Sequence, residues 1–228
     1  MTTFELIDIY QFEFISTTHH ITQNRCGCCS MVEEMNAIRL LYGTKNIKDV
    51  IRECVCNRHG HQYCIPEAAV DKAVDALMES KFVRADIIAT PFIVDNKISE
   101  VFKDFEELYD FISLVISGIS GIGPLTVYDT ARRIGHLFNS PIYPKMFVYL
   151  AAGAKEAAKI LLNVKSLKFR EPIDRFKPYF GTFPSVFIED MLCIFKDSYG
   201  NLDNLTPNET IKFANEKVYS KEESKEKV

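Results

Sequence analysis

The sequence predicts a mainly α protein, a single compact helical domain with a central helical hairpin and short extended segments near the N-terminus. Three observations carry that expectation. Several segments repeat their apolar residues at helical spacing, most cleanly Ala69, Val70, Ala73, Val74, Leu77 and Met78. A glycine-punctuated stretch, ISGISGIGPLTVYDTARRIG, turns the chain between two such segments. The apolar share of 47%, with 17 Phe and 10 Tyr, is enough for a sizeable core, while 25% charged residues suit an ordinary surface.

Taken in order, residues 1–30 read as a short β-prone opening followed by polar, cysteine-bearing chain. Ser30 is placed to cap a helix through Leu41, with Met31, Met35, Ile38 and Leu41 as its apolar face and Tyr42 and Gly43 at its end. A short helix near Ile47 to Glu53 leads into CVCNRHGHQYC, after which Pro66 suits the first turn of the helix carrying Ala69 to Met78. ADIIATPFIVDNKI mixes β-branched residues with proline, the composition of an extended connector or edge strand.

Helices are expected at Phe105 to Ser117, Leu125 to Leu137 and Lys145 to Leu162, the last with a small-residue portion suited to close packing. REPIDRFKPYFGTFP reads as a loop, and Ser185 to Phe195 as a helix with Glu189 and Asp190 near its start. NEKVYSKEESKEKV is charged, apolar-poor and expected to fray. The domain is thus expected over residues 1–215, with a cysteine-rich segment at 19–64, a hairpin core at 105–162 and a tail at 216–228.

Bulk properties narrow the setting. The opening MTTFELIDIYQFEF places acids among its hydrophobes and lacks the basic start and apolar run of a secretory signal, so a cytoplasmic protein is expected. Leu114 to Ile122 is broken by Ser and Gly, and no segment reaches the roughly 18 apolar residues of a membrane span. Seven cysteines in that compartment read as thiols or metal ligands rather than disulfides. A net charge of −4 speaks against a protein that coats itself in nucleic acid, so any such contact has to be local.

The most specific local signal lies at the hairpin, where Ile116, Ile119, Gly121, Ile122, Gly123 and Val127 match the h-x-G-h-G turn that joins two helices. Glycine accepts backbone conformations closed to other residues and lets a surface approach with no Cβ in the way. The helix that follows presents unpaired N–H groups and a positive dipole end, a combination that binds phosphate. Pro124 suits the first position of that helix, and Thr126 adds a hydroxyl to its first turn. Arg132 and Arg133 lie further along. They read either as cations for a phosphate or as partners of Asp129 in an intrahelical ion pair. A corner whose glycines serve only close helix packing is the other reading of the turn.

Over these residues the chain resembles the helix-hairpin-helix superfamily that includes base-excision DNA glycosylases. That resemblance implies a backbone-binding hairpin at Gly121, Ile122, Gly123 and Thr126, with Arg132 and Arg133 behind it, but not glycosylase chemistry. Where lyase-type members carry their catalytic lysine, just after the hairpin's second glycine, this chain has Leu125; where the family places its catalytic aspartate, it has Tyr143. The four-cysteine iron–sulfur pattern of some members is missing as well, since Cys193 is the sole cysteine after Cys64. GIGPLTVYDTARRIG, FVYLAAGAKEA and IEDMLCIF resemble phrases shared by a group of uncharacterised bacterial proteins, which implies a common fold and no chemistry.

A second cluster is compositional. Thiolate and imidazole are the ligands zinc prefers, and Cys26 and Cys29 together with two of Cys56, His59, His61 and Cys64 would complete a tetrahedral site. Two other readings stay open: Cys54 and Cys64 as small core residues, or a histidine activating a neighbouring thiol. The function expected from the whole is a nucleic-acid-binding protein that contacts DNA or RNA phosphate backbone, in a repair or mobile-element setting. The alternatives are an enzyme, zinc-dependent, with its site near the Cys/His segment, and a structural or protein-binding module.

Overall fold

The computed structural model describes residues 2–11, 38, 40, 46–56, 65–80, 102–137, 142–201, 204 and 209. It is mainly helical. The described elements are α1 (Thr3–Tyr10), α2 (Ile47–Val55), α3 (Glu67–Glu79), α4 (Phe105–Ile116), α5 (Pro124–Leu137), β1 (Phe147–Tyr149), α6 (Ala152–Leu162), β2 (Arg170–Pro172), a 3-10 turn (Ile173–Arg175), α7 (Lys177–Phe180) and α8 (Ser185–Ile194). None of the described helices is long and apolar enough to cross a membrane. Contacts divide the chain into two compact units, Met1–Val32 with Lys145–Val228, and Glu33–Pro144.

The unit 33–144 holds α2 to α5. Asn46 caps α2 by accepting from the Asp49 amide at 3.0 Å, and Asp104 caps α4 by accepting from Glu107 at the same distance. The apolar stripe expected on α3 is buried at Ala69, Val70, Ala73, Val74 and Leu77. It starts one residue later than Pro66, which occupies the cap position itself. Packing of α2 on α3 is flanked by ion pairs: Lys48 reaches Asp75 at 2.8 Å, and Arg52 reaches Asp71 at 2.5 Å and also Glu67. Exposed pairs of this kind are worth well under about 1 kcal/mol each. The stronger contribution is the apolar seam of Val50, Ile51, Cys54, Phe105, Leu108, Ile112, Ile116, Ala131 and Ile134, each at most 1% exposed.

The other unit departs from the sequence reading in four places. Its opening is a helix rather than an extended segment. Thr2 accepts from the Glu5 amide at 3.3 Å while the Glu5 carboxylate accepts from the Thr2 amide at 2.6 Å, a complete capping box that starts α1. The helix expected over Lys145 to Leu162 begins only at Ala152, because Phe147, Val148 and Tyr149 form β1 instead. That aromatic and β-branched triplet pairs antiparallel with β2, Val148 opposite Glu171. The expected loop at Arg170 to Pro184 accordingly contains β2, the 3-10 turn and α7. Glu189 and Asp190 lie beyond the first turn of α8, where Asp190 accepts from the Tyr10 hydroxyl at 2.5 Å.

Close packing in that unit follows the small residues. Ala154, Ala157 and Ala158 are fully buried, and a Cβ on Gly153 would come within 3.3 Å of Cys193 Sγ, so α6 and α8 meet at small-residue range. Asn163 ends α6 in the left-handed region at φ 51°, a conformation its short polar side chain tolerates. The helix expected at 30–41, the connector at 85–98 and the tail at 216–228 lie outside the described residues, save that Ile38 and Leu40 are helical.

Tyr199 offers a direct test of this core. It is 6% exposed, its hydroxyl has no hydrogen-bond partner among the described residues, and burial pushes its pKa above the ordinary 10.0. The Tyr199→Phe variant should therefore be more stable by about 1 kcal/mol, read from the urea midpoint, because it removes an unsatisfied buried hydroxyl. The folded state holds the Tyr199 proton more tightly than the unfolded chain. Its share of stability is complete below pH 10.0 and declines as pH rises beyond that value, and the phenylalanine variant should lack that share of the alkaline loss.

Candidate nucleic-acid interface

The hairpin joins α4 to α5 through Ser117 to Gly123. The Ile119 amide donates to the Ile116 carbonyl at 3.1 Å and the Ile122 amide to the Ile119 carbonyl at 3.0 Å, two successive tight turns. Val127 then donates to the Gly123 carbonyl at 3.1 Å, which opens α5 with Pro124 as its first residue. Ile122 is 8% exposed and fastens the tip to the core, while Ser117, Gly118, Ser120, Gly121 and Pro124 are exposed.

The two glycines of the motif have different tasks. Gly121 sits at φ 95°, and a Cβ there would meet Ala69 Cβ at 3.1 Å and Pro66 Cδ at 3.3 Å. Gly121 therefore makes the turn and lets it lie against the start of α3. Gly123 has no positive φ, and a Cβ there would meet nothing within 4 Å among the described residues. A side chain at Gly123 would thus have room among the described residues, and the first amides of α5, from Leu125 on, have no acceptor within the helix. Thr126 is half-buried in the first turn, and its carbonyl accepts from Thr130 Oγ1 at 2.7 Å.

Arg132 and Arg133 prove to be interior groups, 7% and 5% exposed. Both face the Asp129 carboxylate, Arg132 at 3.4 Å and Arg133 at 3.7 Å, and Arg133 also donates to the Cys54 carbonyl at 3.0 Å. The ion-pair reading of these arginines is the observed one. Burial and these ion pairs weigh against both arginines as phosphate contacts, since a guanidinium committed to a carboxylate inside the fold is not presented to a ligand surface. Residues 117–126 carry no charged side chain, and α4 beside them carries only acids, Glu106, Glu107 and Asp110. Within residues 117–126 themselves, positive potential comes from backbone amides and the α5 dipole.

Of the zinc candidates, Cys26, Cys29, His59, His61 and Cys64 lie outside the described residues. Cys56 is half-buried at the C-cap of α2, and Cys54 is buried two residues before it, with its carbonyl held by Arg133. Among the described residues no group of three His, Cys, Asp or Glu side chains is arranged to hold a metal ion. Tyr143, at the position of the glycosylase aspartate, bonds to His136 Nδ1 at 2.6 Å. No family model, curated protein or solved structure matches the chain.

The division between the glycines is measurable by denaturation. Gly121→Ala should cost about 2 kcal/mol or more, since it forces a side chain into positive φ against Ala69 and Pro66. Gly123→Ala should cost less than about 1 kcal/mol, the difference between residues at a helix N-cap. Asp129→Asn should lower stability on the order of 3 kcal/mol by leaving two buried guanidiniums without their shared carboxylate. A neutral result in the urea midpoint would show that the pair is compensated elsewhere.

Proposed function

We propose that the chain binds nucleic-acid backbone through the hairpin at Gly121 to Thr126, with the amides at the start of α5 donating to a phosphate. The observation that carries this reading is Gly123: it lies at the N-terminus of a helix, outside any described packing contact, where absence of a Cβ serves approach from outside rather than the fold. The exposed, uncharged tip around it supports the same reading. Recognition of this kind leaves base edges unread, so binding is indifferent to sequence.

Burial of Arg132 and Arg133 sets the expected salt behaviour. With no charged side chain in residues 117–126 themselves, few counterions are released there, and affinity should be weak with a shallow dependence on salt. The test is a titration of labelled single- and double-stranded oligonucleotides at two salt concentrations, with Gly123→Val as control and its helicity checked by circular dichroism. The wild type should bind at low salt, and the folded valine variant should bind at least about tenfold more weakly, a change of about 1.4 kcal/mol. No binding by the wild type, or equal binding by the folded variant, would reduce the hairpin to a helix corner.

A further inference from the structure

We draw no further inference here: the strongest candidate, the part-buried cluster where the Asp190 carboxylate meets Tyr10 beside Phe183 and Phe187, has its three ring centroids 5.7, 6.1 and 6.2 Å apart, so the rings pack on one another and against the apolar core of their own unit, and nothing in the structure points to a ligand there.

Discussion

The unit that carries the hairpin depends on one carboxylate. Asp129 stands on α5 a turn below the hairpin, and both Arg132 and Arg133 face it from the following turn. Two guanidiniums less than a tenth exposed are expensive to leave without a counter-charge, since desolvation of each ion costs several kcal/mol. Their placement is tolerable because Asp129 is itself three-quarters buried and because Arg133 finds a further acceptor in the Cys54 carbonyl. That last bond joins α5 to the last turn of α2, two segments far apart in the chain. It adds to the apolar seam on α5 a polar contact of defined geometry with α2.

The same arrangement explains a division within one helix. Residues Thr130 to Gly135 of α5 are all buried, whereas Gly121 to Thr126 lie at or near the surface apart from Ile122. Polar side chains that a sequence would assign to a ligand surface are drawn inward at the buried end, and the exposed end keeps only backbone and small groups. On the proposed reading, phosphate is met by partial charges of about half an electron at a helix terminus, not by full cations within residues 117–126. Its field is short-ranged and falls off within the first turn of the helix.

Much of the helical content was legible because burial and periodicity coincide there. Ala69, Val70, Ala73, Val74 and Leu77 recur at helical spacing, and all five are core. What misled was local competition. Phe147, Val148 and Tyr149 run without a break into the small-residue stretch of α6, and what makes them a strand is the pairing partner that β2 supplies more than twenty residues later in the chain, a contact no local pattern encodes. The opening helix did have a readable signal: Thr2 and Glu5 stand at capping-box spacing before Leu6 and Ile7, and acids scattered among hydrophobes are what an amphipathic helix requires. Arg132 and Arg133 illustrate the opposite limit. The sequence shows that they fall near Asp129 on a helix, yet which face of that helix turns inward is decided by α2 and α4.

The glycines separate fold from function more sharply than any charged residue in the chain. In the amino-acid sequence Gly121 and Gly123 are equivalent members of one motif, and either could be explained by close packing. The structure distinguishes them, because Gly121 takes φ 95° with Ala69 and Pro66 closing the space beside it, whereas Gly123 has no positive φ and open space among the described residues. A glycine that the fold requires carries no information about a ligand, since any substitution fails for structural reasons first. A glycine that the fold does not require, placed where a helix presents amides without partners, does carry it. The functional reading proposed for this hairpin therefore rests mainly on the second glycine, and it is independent of Arg132 and Arg133.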